Sequence, residues 1–153
     1  MSDSQLVNTF VEITEKLNKE SIRPIVYGSL GLYLALNSKN DVNDIDFIIN
    51  KPEDFLTCKE VLLKNGFRTD PDHERELIRS DVYVSFIDKK DIETLIGEPL
   101  KLEPASLKNA NFFNISPDQH LKIYEIGLQG KLRKEKKEQD DLKRIKEIED
   151  YLN

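Results

Sequence analysis

The chain has 153 residues, 38% of them hydrophobic and 34% charged, with 29 acids against 23 bases for a formal net charge of -6. That length suits one domain with a real core, while the acidity excludes a generic nucleic-acid coat, which needs clustered positive charge against phosphate. No stretch approaches the roughly 18–20 apolar residues of a membrane span, the acid-bearing start MSDSQLVNTF lacks a basic n-region, and a lone Cys58 with two histidines suits a reducing cytoplasm and argues against a structural zinc site.

Asp3 or Ser4 can cap a first helix, on which Leu6, Val7, Phe10, Val11, Ile13, Thr14 and Leu17 recur at helical spacing. Pro24 precedes a short buried strand, Ile25-Val26-Tyr27, that runs into a turn at Gly28. Residues 30–36 are almost wholly apolar and predict a buried helix, followed by a polar loop over 37–43. Residues 44–49 form a second strand whose acids lie in its first half. Pro52 suits the first position of a helix reaching about Lys64, with Phe55, Val61 and Leu62 on its apolar side and Gly66 as the stop. Residues 74–79 and 82–87 flank Ser80-Asp81 as a tight hairpin. Residues 91–115 carry no readable period. Ser116-Pro117-Asp118-Gln119 reads as a capping box opening a helix with Leu121, Ile123, Tyr124, Ile126 and Leu128. Beyond Gly130 a charged segment leads into a closing helix with the stripe Leu142, Ile145, Ile148 and Leu152. The order predicts one α/β (α+β) domain over 1–153: a small mixed β-sheet flanked by helices, with its core over about 22–90 and C-terminal helices over about 116–153.

The chemistry-bearing residues are Gly28-Ser29 and Asp44-Ile45-Asp46. A strand ending in Gly-Ser at the mouth of a helix offers backbone N–H groups and a hydroxyl at a positive dipole end, a place that suits phosphate oxygens. The alternative is an ordinary turn with Ser29 as helix cap. Alternate strand residues share a face, so Asp44 and Asp46 stand about 6.5–7 Å apart and can converge on a hard divalent cation. The alternative is an edge strand with one solvated face, although acids are disfavoured in so apolar a strand. A phosphate cradle beside paired carboxylates is what transfer of a nucleotidyl group needs.

Read together, Val26-Tyr27-Gly28-Ser29-Leu30-Gly31 and Asn43-Asp44-Ile45-Asp46-Phe47-Ile48 resemble the signature of the DNA polymerase beta-like nucleotidyltransferase superfamily, with its minimal and lincosamide-type small members. The resemblance covers roughly residues 22–90. It implies an enzyme that uses Mg²⁺ or Mn²⁺ to move a nucleoside monophosphate, AMP by preference, from a nucleoside triphosphate to a hydroxyl of a small molecule or a protein. Asp44 and Asp46 are then the catalytic metal ligands, and Gly28 and Ser29 the nucleotide contacts. Lys122 joins them as a triphosphate contact, or else is a solvated lysine on an amphipathic helix. Lys136 to Asp141 resemble the family's basic-acidic tail.

One departure stands out. Where the family usually places a third carboxylate, within Val82-Tyr83-Val84-Ser85-Phe86-Ile87, this chain has Ser85. A serine is no base at neutral pH without help. The alternative reading is therefore a catalytically weak or inactive relative that binds a nucleotide or a partner. His73 and His120 read as surface or internally satisfied histidines, and Lys131 to Lys137 as a solvated face or a basic patch beside the triphosphate. The closing helix packs on its own sheet or offers a docking or homodimer seam.

Overall fold

The computed structural model describes residues 3–128 and 135–153. Their elements are α1 (Asp3–Lys19), β1 (Ile25–Tyr27), α2 (Gly28–Leu36), β2 (Ile45–Ile49), α3 (Asp54–Lys64), β3 (Arg68–Asp70), β4 (His73–Arg79), β5 (Val82–Asp88), α4 (Lys89–Ile96), β6 (Leu102–Leu107), β7 (Ala110–Ile115), α5 (Pro117–Leu128) and α6 (Glu135–Leu152). The strands form one mixed sheet in the order β3-β4-β5-β2-β1-β7-β6. Pairs β2–β5 and β1–β7 are parallel and the others antiparallel. Among the described residues no helix is long and apolar enough to cross a membrane.

Strand alternation assigns the two faces. Ile45, Phe47 and Ile49 of β2 join Val84 and Phe86 of β5 and the apolar side of α1 and α3 in the main core. Phe47 stacks between Phe10 and Phe86, with ring centroids 5.8 and 5.5 Å away, and Phe112 meets Phe10 edge-on at 5.0 Å. On the other face Ile25 and Ile48 pack with Ile92, Ile96 and Ile115. Asp46 points to this second face, between apolar neighbours that leave its strand no freedom to slip register.

The structure refines four local readings. Residues 91–115, where no period is readable, hold most of α4 and the hairpin β6–β7, which adds two strands to the mixed sheet. Pro104 hides β6 from the sequence, yet it is tolerated because β6 is an edge strand. Helix α3 begins at Asp54 rather than Pro52, which instead lies in the preceding turn, its carbonyl accepting the Phe55 N–H at 3.2 Å. Pro117 does open α5, but Gln119 does not close a capping box: its Oε1 accepts the Lys101 N–H and its Nε2 donates to the Pro99 carbonyl, binding α5 to the segment before β6. The buried face of α6 also differs from the expected stripe, because Ile148 is buried with Asp141 and Arg144 while Leu142 and Leu152 are exposed.

Candidate functional site

Four polar side chains stand in one row across four strands. Tyr27 of β1 is in register with Asp46, Asp46 with Ser85 of β5, and Ser85 with Glu76 of β4. In-register partners share a sheet face, so the row looks out on the side of α4 and α5. The Ser85 hydroxyl donates to Asp46 Oδ1 at 2.7 Å. Burial, and then the adjacent Asp46 charge, push the Tyr27 phenol well above its ordinary pKa. It therefore stays protonated beside the carboxylate.

Gly28 follows Tyr27 with φ +70, and α2 starts there with no intervening loop. A Cβ on Gly28 would stand 2.2 Å from Asp46 Oδ2. Only glycine satisfies both the left-handed backbone and this approach. The Ser29 hydroxyl accepts the Asn43 N–H at 2.9 Å and so ties the start of α2 to the segment that enters β2. Asp44 lies immediately before β2 rather than within it.

Gly28, Ser29, Asp44 and Asp46 line one cleft of about 860 Å³. Its apolar wall comes from Ile87, Ile92, Leu95, Ile123 and Ile126, and its far wall from Asp140, Asp141 and Arg144 of α6. Four carboxylates against one guanidinium make it an acidic place suited to cations. Arg144 is 6% exposed; its Nη2 donates to the Asp41 carbonyl at 2.9 Å, its Nη1 lies 3.7 Å from Asp141, and its guanidinium sits 5.8 Å from the Tyr124 ring centre. The only sequence signal for Arg144 was its spacing from Asp141 and Ile148 on one helix face, masked by the charge around it.

Behind the cleft a buried network fixes α2. Asn114 of β7 donates through Nδ2 to the Gly31 carbonyl at 2.8 Å, while its Oδ1 meets His120 Nε2 at 2.8 Å and accepts the Ile115 N–H. The packing at Gly31 is tight, since a Cβ would lie 3.2 Å from both His120 Cε1 and the Val26 carbonyl. Burial lowers the His120 pKa to about 4, so the ring is neutral. It is a satisfied histidine and not a ligand.

The structure thus brings Gly28, Ser29, Asp44 and Asp46 together and leaves Lys122 apart. Although Ile123 and Tyr124 line the cleft, Lys122 does not, and its ammonium pairs with Glu98. The run from Lys131 to Lys137 lies outside the residues whose side chains are described. Asp88, at the end of the strand that carries Ser85, belongs to the opposite sheet face and pairs with Arg75 at 2.9 Å.

No family model matches the chain. It is 28% identical over 146 residues to the uncharacterized protein YnaI of Bacillus subtilis (strain 168), a match spanning 92% of this chain and 94% of that protein. Among solved structures it resembles an antigenic nucleotidyltransferase-like protein from Paracoccidioides brasiliensis, with TM-score 0.70 and 15% identity over 97% of this chain and 77% of that one. The antibiotic-resistance factor ANT(2'')-Ia superposes with TM-score 0.72 and 11% identity over 99% of this chain and 86% of that one. The same factor in complex with adenylyl-2''-tobramycin gives TM-score 0.66 and 8% identity over 98% and 90%. The chain has the nucleotidyltransferase fold.

Proposed function

We propose that the chain is a divalent-metal-dependent nucleotidyltransferase that moves AMP from ATP to a hydroxyl of a small molecule or protein. In this reading Asp44 and Asp46 hold Mg²⁺ or Mn²⁺, and Gly28 and Ser29 receive the β and γ phosphates at the start of α2. The observation that carries it is the Gly28–Asp46 approach. The backbone at the foot of a helix is stripped of its Cβ and set against a carboxylate, where a side chain would stand 2.2 Å from Asp46 Oδ2. Phosphate at a helix N-terminus and a hard cation on paired carboxylates need these two things side by side. When bound, the ion supplies neutralisation of the triphosphate charge and of the departing pyrophosphate.

The acceptor would enter along the apolar wall of Ile92, Leu95 and Ile123, which leads to the same carboxylates. A small-molecule acceptor is favoured by the likeness to ANT(2'')-Ia, one structure of which was solved with adenylyl-2''-tobramycin. Lys122, engaged by Glu98, has no role in this reading.

A second reading is favoured by Ser85. With a hydroxyl beside Asp46 where a third acid is expected, the cleft would bind nucleotide without transferring it. Pyrophosphate release from ATP, with an aminoglycoside or lincosamide as acceptor, separates the two. Release that disappears in Asp46→Asn supports transfer. Nucleotide binding with no release from any triphosphate supports the second reading.

A further inference from the structure

We propose that Asp70, His73 and Glu76 bind one divalent transition-metal ion at the edge of the sheet, at a site separate from the Asp44–Asp46 cleft. The three residues offer two carboxylate oxygens and an imidazole nitrogen that all lie within 4.8 Å of one another. Asp70 is in register with His73 across β3–β4, just past a register shift between Thr69 and Asp70, and Glu76 follows on β4 opposite Ser85 of β5.

The electrostatics point to a cation. Asp70 and Glu76 are both partly buried, and among the described residues neither has a lysine or arginine partner. The neighbouring arginines are spent on the opposite face, Arg75 on Asp88 and the Phe55 ring, Arg79 on Glu12 and the Phe67 ring. Two carboxylates this close repel each other when bare. A dication brings their joint charge to zero, and a neutral imidazole completes a three-ligand set with open positions for water. Side-chain rotation brings such ligands to the bond lengths of about 2.1 Å that these ions take. The imidazole selects the series from Mn²⁺ to Zn²⁺ over Mg²⁺ and Ca²⁺, which prefer all-oxygen sites. His73 is exposed, so an ion reaches it from solvent.

The test is Co²⁺ titration of the full chain by calorimetry and visible absorption, in an Asp44→Asn/Asp46→Asn background that removes the two cleft carboxylates proposed to hold metal. One equivalent of Co²⁺ is expected to bind. Adding His73→Ala or Glu76→Gln should weaken it at least about tenfold, the scale on which loss of even an outer-shell partner acts. Circular dichroism should be unchanged, since the substituted groups are exposed or partly buried. No Co²⁺ binding in that background, or binding unaltered by either substitution, overturns the site. The outcome is independent of nucleotide chemistry and so leaves the proposed function to its own experiments.

Discussion

The Ser85 hydroxyl donates to Asp46 Oδ1 at 2.7 Å across the parallel pair β2–β5 and so orients the carboxylate beside it. A hydrogen bond to a charged group is worth about 1.5–3 kcal/mol. Ser85→Ala should therefore weaken MgATP binding roughly tenfold by calorimetry, without unfolding the chain. Ser85→Asp sets a carboxylate next to Asp46 and should raise pyrophosphate release. Unchanged binding in the first variant and unchanged release in the second would remove Ser85 from the site.

Two glycines with nearly the same φ separate strain from function. Gly28 has φ +70 and Gly97 φ +76, but a Cβ on Gly97 meets nothing within 4 Å. Gly97→Ala should cost about 1 kcal/mol, the left-handed penalty alone. Gly28→Ala must also displace Asp46, so its loss in denaturant unfolding should be larger by about 1–3 kcal/mol, with MgATP binding lost as well. Equal costs for the two would contradict the close approach.

The neutral, buried His120 gives stability a pH dependence. Its folded pKa of about 4 lies below the ordinary value of 6.5, so between those values the unfolded chain binds the extra proton. Stability should be full above pH 6.5 and fall as pH drops toward 4, by at most about 3 kcal/mol. Urea unfolding across that range checks it. His120→Gln keeps an amide for Asn114 and should flatten this part of the profile; an unchanged slope would assign the dependence elsewhere.

Cys58 is fully buried in the main core, and burial pushes its thiol up to about 12. It should resist alkylation in the native state and react at once in denaturant. Rapid native labelling would mean that α3 does not pack as described.

The motif strands were legible because each is a short apolar run with a turn former at its end: Ile25 to Tyr27 before Gly28, Val82 to Ile87 after Ser80-Asp81. The face of Asp46 followed from the same alternation. Helix α4 and the hairpin β6–β7 were not legible, because Glu103 and Pro104 break the strand pattern and β7 reaches β1 only through a parallel pairing distant in sequence, Ile25 with Phe113. The His120–Asn114–Gly31 network unites three segments and has no local signature. Arg144 and Asp141 reversed expectation for another reason: two opposite charges on one helix can be buried together, which hydropathy alone counts as a solvated face.

The most direct measurement is calorimetry of MgATP with the full chain and with Asp44→Ala/Asp46→Ala. Saturable binding to the wild type, lost or weakened at least about a hundredfold in the double variant, is the expected result. Equal affinity in the two proteins would contradict the assignment of the Gly28–Asp46 cleft as the nucleotide and metal site.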